Sequence, residues 1–243
     1  MKVATAQQLI NLNKRFYQEF AASFSQTRQR LQPGVMRILE VLPPDATLLD
    51  LGSGNGELAR QLIKRKHQGQ YLGMDFSIAM LKEADRRTPN SIAKFQQADL
   101  SSKVWHKGLA AASFDRVLCF ATLHHIPRKS MRLRFLSRVR ELLSPDGRFI
   151  FSTWQFLNSE RLKARIQPWK VLGLSAADVE AGDYLLDWRR DGVGLRYVHH
   201  YRVDELEALA HEIGFEVAEV FVSDGEGGDL GLYQVWKPSR PAL

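Results

Sequence analysis

The feature of this chain that most constrains its fold is a strand-like run that passes through alternating glycines straight into a helical pattern. Residues 47–51 form the apolar run, and the glycines that follow it are Gly52, Gly54 and Gly56. Glycine lacks a Cβ, so such a turn adopts positive φ readily and lets a ligand approach the main chain. Parallel α/β sheets bind nucleotide-like ligands at this kind of turn. A dinucleotide is disfavoured, because Glu57 occupies the third-glycine position of the G-x-G-x-x-G fingerprint and would repel a pyrophosphate.

The sequence after this turn alternates between strand-like and helix-like segments. The strand-like segments cover residues 71–75, 95–100, 114–120 and 143–151. Asp75 ends the first of them, where such folds place a carboxylate for a ribose diol. Two later strands, at residues 215–222 and 232–236, are joined by a short glycine-rich turn and are therefore antiparallel. This order predicts an α/β fold: a mostly parallel, twisted sheet with helices on both faces and a closing antiparallel hairpin.

The length of 243 residues suits one α/β domain with an insertion, and we expect a single domain over residues 1–243. Apolar residues at helical spacing predict N-terminal helices within residues 1–46. Residues from about 154 to 202 break the alternation of strands and helices and form the insertion. Loops over the carboxyl edge of such a sheet bind substrates, so the insertion is predicted to set substrate specificity.

The composition sets limits on the compartment and on metal chemistry. Cys119 is the only cysteine, which excludes an intrachain disulfide, and its apolar surroundings predict a buried core thiol. The N-terminus lacks the apolar stretch of a signal peptide, and no apolar run reaches membrane-spanning length. We therefore expect a cytoplasmic protein without a membrane partner. No histidine and cysteine cluster has metal-ligand spacing, so no metal is predicted.

A formal net charge of +7 is consistent with a polyanionic partner, although solubility alone needs only a few charges. One predicted helix carries six basic residues: Arg128, Lys129, Arg132, Arg134, Arg138 and Arg140. Apolar residues at helical spacing predict the core face of the same helix: Phe135, Leu136, Val139, Leu142 and Leu143. Arg134 and Arg138 lie one turn apart on one flank, whereas Arg140 lies on the other side. The helix therefore fits a solvated face as well as it fits phosphate contact. A second basic cluster, within residues 161–170, opens the insertion.

The glycine turn and the acid-ended strands together resemble the Rossmann-like class I S-adenosylmethionine-dependent methyltransferases. The G-x-G-x-G spacing, with Asp50 two positions before the first glycine, matches the first motif of that superfamily. The resemblance implies S-adenosylmethionine as the cofactor, with Asp75 on its ribose and Asp99 on its adenine amino group. Phe120 and Ala121 would flank the adenine or the methionine portion. The implied cofactor residues are Asp50, Gly52, Ser53, Gly54, Gly56, Asp75, Phe76, Asp99, Leu100, Phe120 and Ala121.

Four further segments resemble one subfamily, the tRNA methyltransferases that esterify the 5-carboxymethyl group of a wobble uridine. They are F-S-x-T-R at residues 24–28, a His-His pair at 124–125, G-D-x-L-x-x-W at 182–188 and R-Y-x-H-x-Y at 196–201. The resemblance implies a tRNA anticodon loop as substrate and a small activating partner protein that adds to the sheet edge. Two positions depart from the family: Asp187 replaces a proline, and residues 229–233 replace an N-W pair.

The implied reaction is an in-line displacement at a sulfonium methyl group, which mainly requires positioning. A carboxylate acceptor is already ionised at neutral pH and needs no general base. The resemblance assigns its binding to Arg28 and Arg196, whose guanidinium groups can hold a carboxylate bidentately, and to His124 and His199, which can donate single hydrogen bonds. Arg28 would lie at the mouth of the site and hold either this acceptor or the methionine carboxylate of the cofactor. A cap on the helix that follows is the alternative role of His124.

The insertion supplies three expected substrate-binding residues, Asp183, Trp188 and Tyr197. The two aromatic side chains would stack on a base, as in the recognition of single-stranded RNA, and ordinary core packing is the alternative. Arg134 and Arg138 would contact phosphates. Two other functions stay open: a small-molecule methyltransferase that uses the same cofactor site, and a non-catalytic scaffold that binds the cofactor.

Overall fold

A computed structural model describes residues 1–20, 30–89, 92–189 and 192–239. The strands within them, in chain order, are β1 (Leu48–Leu51), β2 (Tyr71–Asp75), β3 (Ala93–Gln97), β4 (Phe114–Phe120), β5 (Leu143–Trp154), β6 (Ile166–Gln167), β7 (Asp183–Trp188), β8 (Gly194–His199), β9 (Phe215–Ser223) and β10 (Gly231–Pro238). The helices are α1 (Val3–Glu19), α2 (Pro33–Glu40), α3 (Glu57–Lys64), α4 (Ile78–Arg87), α5 (Lys129–Leu142), α6 (Glu160–Lys163) and α7 (Val203–Glu212). The F-S-x-T-R segment, including Arg28, lies outside the described residues.

The central sheet confirms the predicted fold. Its strand order is β3-β2-β1-β4-β5-β10-β9. The pairs among β1 to β5 are parallel, whereas β10 runs antiparallel to both β5 and β9 and closes the sheet as a hairpin. From β1 the strand order runs outward on both sides, through β2 and β3 on one side and through β4 and β5 on the other. Open α/β sheets bind ligands in the crevice at such a switch point.

The central strands bury both of their faces, as parallel strands under helices do. Successive side chains of a strand point to opposite faces, so Leu49 and Leu51 join one hydrophobic core while Leu48 joins the other. All four residues of β1 are buried, and the third of them is Asp50. Burial of this strand explains why its sequence is an apolar run rather than an alternating pattern.

The insertion folds into a separate three-stranded antiparallel sheet in the order β6-β7-β8. Leu185 of β7 lies opposite Tyr197 of β8, and both pack with Leu9 and Leu12 of α1. The main-chain N–H of Tyr197 donates to Asn13 Oδ1 over 2.7 Å, and Asn13 Nδ2 donates back to the Tyr197 carbonyl over 3.0 Å. The N-terminal helix therefore packs on the small sheet and is hydrogen-bonded to it.

The basic helix α5 buries the apolar face that its sequence predicts: Phe135, Leu136, Val139 and Leu142. Arg132 differs from the expectation of a basic surface, because its side chain is only 2% exposed and contacts Glu180 over 2.8 Å. Position 132 follows the helical spacing of the buried residues, so the arginine points inward and is paired there. The basic character of this helix is thus partly internal.

Cys119 is fully buried in β4, as expected of a core thiol. Burial raises its pKa far above the ordinary value, which rules out a thiolate nucleophile at neutral pH. Among the helices that the structure describes, none combines the length and apolarity needed to cross a membrane.

Candidate active site

A cavity of about 640 Å³ opens at the carboxyl edge of the central sheet. Its walls come from the ends of β1, β2, β4 and β5, from one side of α1, and from β7 and β8 of the insertion. The volume lies within the usual range of ligand sites, roughly 300–1,000 Å³. The cavity therefore lies where the topology predicts ligand binding, and residues of the insertion line part of it.

The three glycines of the turn all adopt left-handed backbone, with φ of +87° at Gly52, +54° at Gly54 and +74° at Gly56. A Cβ on Gly52 would lie 2.1 Å from Thr122 Oγ1, and one on Gly56 would lie 2.8 Å from Ala84 Cβ. A Cβ on Gly54 would meet no atom within 4 Å. Gly52 and Gly54 line the cavity, whereas Gly56 packs against α4. Gly54 is thus the glycine that leaves room for a ligand.

Asp75 lies at the cavity wall with a fixed carboxylate. Its Oδ2 accepts a hydrogen bond from the Gly54 main-chain N–H over 3.0 Å, and its Oδ1 accepts one from Ser77 over 2.9 Å. These two hydrogen bonds orient the carboxylate, a group that accepts hydrogen bonds from hydroxyl groups. Phe76 follows it on the same wall. These contacts fit the expected binding of a ribose diol.

Asp99 also lines the cavity, and it contacts a residue that the sequence analysis did not identify. Its Oδ2 lies 2.6 Å from Lys14 Nζ of α1, and its Oδ1 accepts from both the N–H and the hydroxyl of Ser101. Burial raises the pKa of Asp99, but the hydrogen bonds from Lys14 and Ser101 outweigh burial and hold it below its ordinary value. Lys14 occupies the polar side of an ordinary amphipathic helix, so nothing local in the sequence marks it.

Asp50 is a buried acid at the bottom of the cavity, with 4% of its surface exposed. Tyr71 Oη donates a hydrogen bond to it over 2.5 Å. Burial, and to a lesser extent the nearby Asp75 carboxylate, raise the pKa of Asp50 to about 7 against the lowering effect of Tyr71. A cationic ligand would stabilise the ionised form of this group, and S-adenosylmethionine carries positive charge on its sulfonium and ammonium groups.

The polar groups on this side of the cavity, which we call the cofactor half, fit S-adenosylmethionine. Its acids, Asp50, Asp75 and Asp99, suit an ammonium group, a ribose diol and an adenine amino group, and an open main-chain turn lies between them. Glu57, which argued against a pyrophosphate, lies on the cavity wall and pairs with Arg60. The expected cofactor residues that line the cavity are Asp50, Gly52, Ser53, Gly54, Asp75, Phe76, Asp99, Leu100, Phe120 and Ala121.

The other half of the cavity contains the His-His pair. His124 is 2% exposed, and its Nδ1 accepts a hydrogen bond from the Trp154 main-chain N–H over 3.3 Å. His125, the second histidine of the pair, also lines the cavity. Its Nδ1 lies 3.1 Å from the Tyr197 carbonyl, and its Nε2 lies 2.6 Å from Tyr17 Oη. The carbonyl requires a proton on Nδ1, so Nε2 of the neutral ring accepts from the tyrosine.

Arg196 brings a positive charge to this half of the cavity. Its side chain is buried, and its guanidinium carbon lies 4.5 Å from the Trp154 ring centroid, 5.5 Å from Phe16 and 5.8 Å from Trp188. Such cation–π contacts stabilise a guanidinium that has left water and fix its plane. Arg161, from the second basic cluster, lines the same cavity. Trp154 is a residue that the sequence analysis missed, although its position at the carboxyl end of β5 marks it for this edge.

Three other predicted site residues, His199, Asp183 and Tyr197, do not line the cavity. Asp183 Oδ1 accepts from Tyr197 Oη and from His199 Nδ1, each over 2.7 Å, and His199 Nε2 lies 2.9 Å from Glu205 of α7. Burial lowers the pKa of His199, but the two carboxylates raise it above its ordinary value. Neighbouring residues of a strand face opposite sides, so a β8 that turns Arg196 to the cavity turns Tyr197 and His199 away.

Two predicted phosphate contacts, Arg134 and Arg138, lie on α5 and outside the cavity. Arg134 Nη2 donates to the Ser101 carbonyl over 3.3 Å, and Arg138 pairs with Glu141 over 2.5 Å. The Arg138 guanidinium is well exposed, so its ion pair is weak and open to exchange for another anion. Among the described residues, no group of three or more histidine, cysteine or acidic side chains is arranged to hold a metal ion.

The fold and the cofactor half of the cavity define a class I methyltransferase. A family model described as a methyltransferase domain matches residues 23–220, and the chain belongs to this family. S-adenosylmethionine is the cofactor that this membership implies.

Several curated proteins are similar to the chain. A candidate methyltransferase from Encephalitozoon cuniculi is 26% identical over 208 residues, which cover 84% of this chain and 87% of the relative. Trans-aconitate 2-methyltransferase from Deinococcus radiodurans is 36% identical, over 46% of this chain and 40% of its own length. The tRNA (carboxymethyluridine(34)-5-O)-methyltransferase from Schizosaccharomyces pombe is 28% identical, over 57% and 55%. The last two similarities thus span about half of each protein.

Solved structures share the fold. An S-adenosylmethionine-dependent methyltransferase from Methanosarcina mazei superposes with a TM-score of 0.67 at 21% identity, covering 86% of this chain and 99% of that one. A chain from the Haloferax volcanii complex of the Trm112 methyltransferase activator with a methyltransferase gives a TM-score of 0.65 at 16% identity, covering 93% and 97%. Each likeness covers most of this chain.

Proposed function

We propose that this methyltransferase esterifies a carboxylate, and that the carboxylate belongs to a 5-carboxymethyl group on the wobble uridine of a tRNA. The observation that carries the proposal is Arg196, a buried guanidinium held among aromatic rings beside the cofactor half of the cavity. A guanidinium binds a carboxylate bidentately and, because it stays protonated, balances the negative charge without transferring a proton to the carboxylate. The acceptor oxygen therefore remains a nucleophile.

The cofactor half of the cavity would hold S-adenosylmethionine through Asp75, Asp99 and the main chain of the glycine turn. When bound, the cofactor supplies a methyl group activated by a positively charged sulfur. The protein's own contribution is positioning: Arg196 fixes the acceptor carboxylate, and the His124 ring forms the adjacent wall. Trp154 and Trp188 line the cavity beside Arg196, and exclusion of water by such rings would strengthen the ion pair.

The substrate part of the proposal draws on the sequence motifs and on relatives. The Schizosaccharomyces pombe relative is named for the carboxymethyluridine reaction. The flat rings of Trp154 and Trp188, both on the cavity wall, offer surfaces on which a base extruded from a loop can stack. Arg161 at the cavity, with Arg134 and Arg138 on α5, would contact the phosphates of such a loop. The activator complex of the Haloferax volcanii neighbour supports testing this chain with a small activating partner.

A second candidate is esterification of a small organic acid. The Deinococcus radiodurans relative is named for trans-aconitate, which is a carboxylate and needs the same guanidinium. The two candidates share the cofactor site and differ only in what surrounds the carboxylate.

The test is transfer of labelled methyl from S-adenosylmethionine into tRNA isolated from cells that lack this gene, with and without an activator protein. We expect label in a nucleoside that mass spectrometry identifies as the methyl ester of 5-carboxymethyluridine. Arg196→Ala is expected to lower the rate at least tenfold while the affinity for S-adenosylhomocysteine stays within twofold, because one charged hydrogen-bonding partner is lost. Label in a small acid instead of tRNA would establish the second candidate, and an active Arg196→Ala enzyme would contradict the carboxylate role.

A further inference from the structure

The half of the cavity away from the cofactor residues is formed by strand ends that the sequence analysis did not connect with binding. The expected cofactor residues lie on or after β1 to β4, and the sheet continues through β5, β10 and β9. β5 and β9 end at the carboxyl edge, and the antiparallel β10 begins there. Their contributions to the wall include Ser152, Asp224 and Tyr233. These residues line the same cavity as Arg196, so an acceptor that Arg196 holds would share the cavity with them.

Asp224 presents a carboxylate in this wall from a constrained position. It follows β9 directly and adopts left-handed backbone with φ of +74°. Its Oδ1 accepts from the Gly34 main-chain N–H over 3.0 Å, and its Oδ2 accepts from Tyr233 Oη over 2.6 Å. Burial and the Asp224 carboxylate raise the pKa of Tyr233 well above its ordinary value, so the phenol remains a donor. Two of about four acceptor positions on the carboxylate are thus used within the protein.

Two glycines make room for this pair. A Cβ on Gly231 would lie 2.5 Å from Asp224 Oδ2 and 2.8 Å from the Tyr233 ring, and a Cβ on Gly34 would lie 2.4 Å from that ring. Neither glycine has positive φ, so their lack of a side chain serves packing rather than backbone conformation. A side chain at either glycine would therefore overlap Asp224 or Tyr233.

The cavity consequently has two chemically different walls beside the cofactor site. Arg196 and Arg161 form a cationic wall, and Asp224 with the hydroxyl groups of Ser152 and Tyr233 forms a wall that accepts hydrogen bonds. An acceptor that carries only a carboxylate would match the first wall and leave Asp224 facing a group that cannot donate. Removing water from the Asp224 carboxylate without supplying a hydrogen-bond donor is costly, so this wall selects against acceptors that carry only a carboxylate.

We propose that Asp224, held by Tyr233 and by the Gly34 N–H, is a specificity-determining residue that accepts a hydrogen bond from an N–H or O–H group of the methyl acceptor. This inference rests on the proposed carboxylate esterification and adds a second requirement for the acceptor. In 5-carboxymethyluridine the imide N3–H is that donor, on the ring that also carries the carboxymethyl group. The residues that depart from the related family, 229–233, include Tyr233 and adjoin this wall.

The experiment compares two acceptors with two variants. The acceptors are a synthetic anticodon stem–loop carrying 5-carboxymethyluridine and the same stem–loop with that base methylated on N3. In Asp224→Asn the side-chain oxygen still accepts from the Gly34 N–H, but the charge is lost and the amide nitrogen that replaces Oδ2 does not accept from Tyr233 Oη. The matched control is Asp115→Asn: Asp115 likewise accepts from a main-chain N–H, that of Thr47, and from a hydroxyl, that of Ser144, but outside the cavity.

We expect Asp224→Asn to lower kcat/KM for the unmodified base at least tenfold, as for loss of a charged hydrogen bond, with less than a twofold effect on the N3-methylated base. Affinity for S-adenosylhomocysteine should be unchanged, and Tyr233→Phe should give a smaller loss of the same kind. Equal losses on both bases, or a fall in melting temperature like that of Asp115→Asn with no change in kcat/KM, would show that Asp224 only caps α2.

The outcome for the proposed function is separate. If the wild-type protein esterifies small acids but not the stem–loop, the tRNA proposal fails. The same comparison is then made with malate, which carries a hydroxyl donor, and with succinate, which lacks one. A selective loss on malate in Asp224→Asn would then support the inference, and equal losses would overturn it. Transfer to neither kind of acceptor overturns both.

Discussion

Gly52 and Gly54 are two residues apart, have similar left-handed backbone, and are predicted to respond differently to alanine. A Cβ on Gly52 would overlap Thr122, with 2.1 Å to its Oγ1 and 2.8 Å to its Cγ2, whereas a Cβ on Gly54 would enter the cavity without touching the protein. Gly52→Ala should therefore damage the fold, and Gly54→Ala should damage cofactor binding. The perturbation is a single methyl group in each case.

The magnitudes follow from the two environments. Left-handed backbone costs an alanine about 1–2 kcal/mol, and overpacking adds about 1–3 kcal/mol at position 52 only. One kcal/mol corresponds to about 2–4 °C of melting temperature in a protein of this size. We therefore expect Gly54→Ala to lower the melting temperature by about 2–8 °C and Gly52→Ala by about 4–20 °C.

Calorimetric titration with S-adenosylhomocysteine and a thermal melt separate the two effects. Gly54→Ala should weaken the binding of S-adenosylhomocysteine, the product of the cofactor, at least tenfold, because the new methyl group occupies the space beside the turn. Gly108→Ala is the matched control: Gly108 has φ of +90°, lies outside the cavity, and has no atom within 4 Å of the position that a Cβ would take. Wild-type affinity in Gly54→Ala would refute the placement of the cofactor. A Gly52→Ala melt no lower than that of Gly108→Ala would refute the packing argument.

Three further predictions concern other parts of the molecule. Asp75→Ala should lower the affinity for S-adenosylhomocysteine at least tenfold in calorimetry, since it removes hydrogen bonds to a charged acceptor that are worth about 1.5–3 kcal/mol each. An unchanged affinity would show that Asp75 does not bind the ribose. His199 has a raised pKa in the fold, so its stabilising effect is complete below its unfolded pKa of about 6.5 and is lost as pH rises through the folded value. The melting-temperature advantage of wild type over His199→Gln should therefore shrink at higher pH, and a constant difference would contradict this. Reversing the charges of Arg134 and Arg138 should weaken tRNA binding and flatten its log–log salt dependence by about 0.7 per lost contact, and an unchanged slope in filter binding would make them solvated side chains.

The sequence by itself predicted the fold and the position of several residues on the cavity wall. Gly52, Asp75 and Asp99 can be predicted to lie at this edge because each belongs to a local pattern: a turn that needs positive φ, or an acid at the end of a strand. Such patterns are set by neighbours in the chain, and the parallel topology then brings all the strand ends to one edge. The predicted core face of α5 is buried for the same reason, since helical spacing fixes which residues share a side.

The tertiary structure alone decided which of the remaining residues meet. Lys14 reaches Asp99 across 85 positions of sequence, and Asn13 reaches Tyr197 across 184. The motif containing Arg196 and His199 reads as one functional unit in sequence, yet the two-residue repeat of β8 sends the arginine to the cavity and the histidine into a buried network. In the sequence, Asp224 belongs to an ordinary hairpin turn. Only the sheet order, which places β10 and β9 next to β5, brings it to the cavity. Contacts between distant segments depend on how sheets and helices pack, and no local spacing encodes them.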